Sequence, residues 1–121
     1  MNPNKIFLVS ILVIFFFTIL VSSSPAPVSG DFVQQVSLYP TATVLSAQDL
    51  HNGTSVVLEA NVPSAAVLDF YKVKMRDNGW SVLNQRQDFL AFSRQGKGVM
   101  IDVDAISREK SRVSISYLTG V

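Results

Sequence analysis

The chain contains no cysteine and a single histidine. Without thiols it has no disulfide framework, no thiolate metal site and no cysteine to carry a lipid after an export signal. The lone His51, in Leu50-His51-Asn52-Gly53, cannot build a zinc site from the usual nitrogen and sulfur ligands and reads as a solvated turn residue. Charge is scarce as well, at 16% of residues, and ten basic side chains stand against nine acidic ones. Lys5 is the one charge before Asp31, so the rest of the chain is balanced and no net field draws it to nucleic acid. Gly-x-Ser-x-Gly does not occur, and Ser107–Ser111 (SREKS) reads as a polar turn. Gly96-Lys97-Gly98 lacks the upstream glycine and following hydroxyl residue of a phosphate loop, and reads as a hairpin turn. These gaps predict a protein without catalytic residues, bound metal or cofactor.

What the chain does have is one long apolar run. Ile6–Val21 reads IFLVSILVIFFFTILV, with Lys5 before it and Ser22–Pro27 (SSSPAP) after it. A basic start, an apolar stretch and a small-residue exit form an export signal. As a helix the run spans roughly 24 Å, short of the about 30 Å of a bilayer core, which favours a cleaved signal. Its length and apolarity for a signal core favour a retained anchor. Small residues in Val28-Ser29-Gly30 and Val21-Ser22-Ser23 mark two cleavage points. Either way Lys5 stays on the cytoplasmic side and the remainder is exported, to the periplasmic face of an inner membrane or beyond. The expected division is residues 1–30, signal or anchor helix plus Ser/Pro linker, and residues 31–121, a single exported domain.

Within 31–121 the periodicity is legible. Val33–Leu38 reads as an initial extended piece interrupted at Tyr39-Pro40. Ala42–Ala47 reads as a strand, and Asn52-Gly53 is a hairpin signal. Thr54–Val62 alternates, with Val56, Leu58, Ala60 and Val62 on one side. Pro63–Asp77 changes to helical spacing, with Val67, Phe70, Tyr71 and Met75 in one stripe, and Asn78-Gly79 stops it. Ser64 is placed to cap its start. Four strand-like segments follow: Trp80–Gln85, with Trp80 and Val82 on one face, then Asp88–Arg94, Val99–Ala105 and Arg112–Leu118. The order β-β-α-β-β-β-β, with short turns, predicts an α+β fold: an antiparallel sheet with one helix packed on one face, preceded by the N-terminal hydrophobic helix.

Few residues offer chemistry. Asp102 and Asp104 share one strand face about 7 Å apart and are candidates for a hard cation or an acid–base pair, but nothing beside them supplies further ligands. The plainer reading is the wet face of a strand. Phe70, Tyr71 and Trp80 form either a stacking platform or part of the core, and helical spacing favours the core. Tyr39 is placed at a groove edge.

Leu38-Tyr39-Pro40 with Ala42, then Asp69-Phe70-Tyr71, Met75 and Gly79-Trp80, resemble a small domain of uncharacterised bacterial exported proteins and lipoproteins, across roughly residues 38–118. The resemblance implies a bacterial envelope protein of α+β fold and carries no catalytic residue. Its lipoprotein members have a cysteine after the signal, which this chain lacks. The expected function is therefore a non-enzymatic cell-envelope domain with a binding or structural role. Its partners would be the membrane, through a retained N-terminal segment, and an envelope protein, with no nucleic acid. The alternatives are a small-ligand binder using the helix–sheet cleft and a metal-assisted enzyme built on Asp102 and Asp104.

Overall fold

The computed structural model describes residues 27–120. The apolar run Ile6–Val21 and its expected helix lie outside the described residues. The elements are α1 (Gly30–Gln35), β1 (Thr43–Leu50), β2 (Gly53–Ala60), α2 (Ser64–Asp77), β3 (Ser81–Arg86), β4 (Phe89–Arg94), β5 (Lys97–Ser107) and β6 (Lys110–Thr119). The six strands form one antiparallel sheet in the order β1-β2-β6-β5-β4-β3. Its α+β character and the expected strand–helix order hold.

Alternation decides which face is buried. Thr54, Val56, Leu58 and Ala60 of β2 are buried, as are Ser111, Val113, Ile115 and Tyr117 of β6 and Val99, Ile101 and Val103 of β5. The partners match across the ladder, Val56 opposite Ile115 and Ile101 opposite Ile115, so one sheet face is continuous core. We call this the inner face. On the outer face Asp102, Asp104, Ser114 and Ser116 meet no helix, and all four are solvent-exposed or half-buried. A strand with one apolar side can only be satisfied this way, since every second side chain points to each face.

The helix α2 covers the inner face through Val67, Tyr71 and Met75, which follow i, i+4, i+8 and are fully buried, with Leu68 beside them. Full burial of each such side chain stabilises by roughly 1.5–3 kcal/mol. Phe70 departs from the expected stripe. It is half-buried at the edge of the core, its ring edge-on to Tyr39 at 5.0 Å and to Tyr71 at 4.9 Å. Pro63 takes the N-cap position with no side-chain cap hydrogen bond, so Ser64 does not play the expected capping part. At the other end Gly79, at φ +88°, turns the chain, and the Trp80 amide donates back to the Met75 carbonyl at 3.0 Å.

The sequence reading is corrected at two further points. The segment expected to be extended, Val33–Leu38, begins instead as the end of α1, with Ser29 as N-cap accepting from the Phe32 amide at 3.2 Å. Phe32 and Val36, one helical turn apart, are fully buried. Gly30 is the first residue of this helix, whose Phe32 belongs to the core. Trp80 lies just before β3 and is nearly buried, whereas Val82 is 54% exposed, so the two do not share a buried face.

Candidate functional site

The inner face is not covered evenly. Under α2, side chains from helix and sheet fill the space, and the cleft of the ligand-binding alternative is occupied by Val67, Tyr71 and Met75. Toward β1 the cover thins. There a cleft of about 300 Å³ is lined by Pro27, Val28 and Ser29 of the N-terminal segment and by Ala47, Asp49 and Thr54 of β1 and β2. The register explains its composition. Ala47 pairs with Val56 and Asp49 with Thr54, which puts all three cleft residues of the hairpin on the inner face. The polar groups are one carboxylate and two hydroxyls; Val28, Pro27 and Ala47 supply the apolar wall.

The cleft adjoins a second piece of the inner face. Thr54 pairs across the ladder with Tyr117, and the Phe32 ring of α1 stands edge-on to the Tyr117 ring, centroids 6.4 Å apart. Gly53, next to Thr54, allows this junction. A methyl group there would meet the Tyr117 carbonyl oxygen at 1.9 Å. Burial first, and then the Asp31 carboxylate, raises the Tyr117 phenol above its ordinary value, with Arg94 acting the other way.

Beyond Tyr117, Arg94 joins three elements. It donates to the Asn78 carbonyl at the end of α2 and to Gln35 Oε1 of α1, and its guanidinium lies over the Trp80 ring at 4.6 Å. Among the described residues two buried side-chain polar atoms have no hydrogen-bond partner, Tyr71 Oη and Trp80 Nε1. Burial pushes the Tyr71 phenol far above its ordinary value; the Tyr39 backbone opposes this slightly without making a well-formed hydrogen bond.

The outer face has a separate apolar groove of about 210 Å³ where Leu83, Ala91, Met100 and Leu118 come together around Gly98. Leu83 is displaced by an irregularity in β3 between Val82 and Asn84 and is 64% exposed.

The sequence candidates are scattered. Asp102 and Asp104 lie exposed on the outer face of β5, opposite Ser114 and Arg112, and no group of three metal-ligating side chains forms among the described residues. His51 sits exposed in the β1–β2 turn. Tyr71 and Trp80 belong to the core, and Tyr39 packs on Phe70 at its rim. The cleft residues Val28, Ala47, Asp49 and Thr54 carry no motif; only alternation in the β1–β2 hairpin marked Thr54 as sharing a face with Val56. No described helix is long and apolar enough to cross a membrane.

A family model described as START domain-like matches residues 33–118. No curated protein and no solved structure matches the chain.

Proposed function

The chain belongs to this START domain-like family, and from that premise we propose that it is a small-ligand-binding domain, non-enzymatic, working on the exported side of a bacterial envelope. START-like folds are often associated with ligand binding. The observation that carries the reading is the cleft of about 300 Å³ between Pro27–Ser29 and the inner face of β1 and β2. It has the make-up of a small binding site, an apolar wall with a few convergent polar groups. Asp49, Thr54 and Ser29 suit hydrogen bonding to a head group. Neither hydroxyl has a histidine or lysine beside it in the lining, so the set favours holding a ligand over attacking one. Export is supported by Lys5 and the apolar run Ile6–Val21, and the domain would be tethered by that run or released after its cleavage.

The test is a fluorescence titration of the full chain with N-phenyl-1-naphthylamine, a neutral apolar probe. Saturable binding is expected, and Ala47→Trp, which fills the cleft from the half-buried rim, should abolish it while the protein stays folded. Equal binding by wild type and Ala47→Trp would overturn the assignment of the cleft. A periplasm-active reporter fused after Val121 should be active; activity confined to a cytoplasmic reporter would overturn the export reading.

A second reading, docking of an envelope protein, draws on the outer groove of Leu83, Ala91, Met100 and Leu118. Loss of a co-purified partner on Met100→Glu, with the fluorescent probe still bound, would favour it.

A further inference from the structure

We infer that the segment Gly30–Val36 is a displaceable plug hinged at Ser29, with Phe32 holding the inner end of the ligand site until an apolar ligand takes its place. The inference rests on the cleft reading above.

Three observations support it. The first is adjacency. Thr54 lines the cleft, Tyr117 is its direct cross-strand partner, and the Phe32 ring rests on Tyr117. Side chains directly opposite on neighbouring strands are about 5 Å apart, so the slot filled by Phe32 begins where the cleft ends. The second is that one segment forms both parts. Val28 and Ser29 wall the cleft, and Ser29 caps the helix that carries Phe32. Tilting the helix out about Ser29 keeps that wall and joins slot and cleft in one longer channel. The third is the slightness of the hold. α1 is six residues long, and a helix this short is marginal on its own. Its ties are the burial of Phe32 and Val36, the Phe32 ring on Tyr117, the Ser29 cap, the Val33 amide to the Ser29 carbonyl at 3.2 Å, the Val36 amide to the Phe32 carbonyl at 2.7 Å, Asp31 beside the Tyr117 phenol, and Arg94 to Gln35. The α2 helix, by contrast, is held by a full buried stripe and by strands on both sides of it in sequence.

The lining also selects the ligand. Asp49 is the charged residue of the cleft, and Asp31 lies exposed on the plug itself. The Asp49 carboxylate in the lining repels an anionic head. The ligand class is therefore an amphiphile with a neutral or cationic hydrogen-bonding head and an apolar body that reaches the Phe32 slot. The Phe32 side chain stands in for that body in the free protein. An opening populated in about one molecule in ten would weaken apparent binding about tenfold, which removal of the plug residue should recover.

Hydrogen exchange of the full chain, with and without saturating N-phenyl-1-naphthylamine, tests the plug. The amides of Phe32, Val33 and Val36 make the hydrogen bonds that hold α1, and the probe should speed their exchange. Binding confined to the cleft would instead bury the segment further and slow them. Slower or unchanged exchange on a protein that binds the probe overturns the plug and leaves the cleft reading standing. No binding at all overturns both. Phe32→Ala should bind the probe about tenfold more tightly, and Ala47→Trp in the same background should remove that binding; unaltered affinity in Phe32→Ala counts against the plug. Should Phe32→Ala fail to fold, the wild-type exchange result decides alone.

Discussion

The guanidinium of Arg94 lies 4.6 Å from the centre of the Trp80 ring while its two terminal nitrogens reach Asn78 and Gln35. One side chain at the end of β4 thus fastens the C-terminus of α2, the α1 helix and the indole that follows α2. A planar fork can do this and a point charge cannot. Arg94→Ala is expected to cost about 2 kcal/mol, from the stacking and the hydrogen bonds together. Arg94→Lys should recover less than half of that. Urea denaturation of the three proteins measures it, and an Arg94→Lys protein as stable as wild type would show that the fork geometry is idle.

Two buried hydroxyls should respond to deletion with opposite signs. Ser111 Oγ donates to the Val62 carbonyl at 2.8 Å, so Ser111→Ala should destabilise by about 1 kcal/mol. Tyr71 Oη is buried without a partner, so Tyr71→Phe should be neutral or stabilising by up to about 1 kcal/mol. Thermal melts of the pair check both.

The same phenols set an alkaline limit. In the folded protein Tyr71 and Tyr117 hold their protons more tightly than in the unfolded chain, chiefly because burial disfavours the phenolate. Above pH about 10 the unfolded chain releases those protons first, so stability present at neutral pH falls as the pH rises further. Melting temperatures should be level from pH 7 to 9 and drop beyond 10. Tyr71→Phe should make the drop shallower.

Phe70 and Met75 separate the rim of the core from its centre. Met75→Ala should cost about 2–5 kcal/mol, and Phe70→Ala less, about 1–2 kcal/mol, because the Phe70 ring is half-buried against Tyr39. Reversal of that order in chemical denaturation would return Phe70 to the buried stripe.

Asp102 and Asp104 should prove inert. Replacing both with Asn is expected to change stability by no more than about 0.5 kcal/mol each, with Asp104 the costlier because it faces Arg112 across the ladder. Calcium should leave the melting temperature unchanged; an increase in the wild type that disappears in the double variant would restore the metal-assisted alternative.

How far the chain could be read from its letters depended on the range of the forces involved. Alternation in β2, β5 and β6 and the Asn78-Gly79 stop are local, and both appear where expected. α1 was misread because six residues carry less than two turns of pattern. Its signals, Ser29 before Asp31 and the four-residue spacing of Phe32 and Val36, sit in a stretch that equally suits a strand. The cleft was beyond reach for a different reason. Val28, Ala47 and Thr54 are individually ordinary, and only the hairpin register and the path of the N-terminal segment bring them together. The helix–sheet cleft was only an alternative, because side-chain volume decides whether such a space is open, and Tyr71 and Met75 fill it.

The sheet order has a consequence for how the protein comes into being. β6, last of the described strands, lies between β2 and β5, so the β1–β2 hairpin has no lateral neighbour until β6 arrives. Every earlier stage of synthesis leaves two separated sheet fragments with a shared apolar face and nothing to join them. Such long-range closure is slow. The inner face therefore stays open along the β2 edge until β6 is in place.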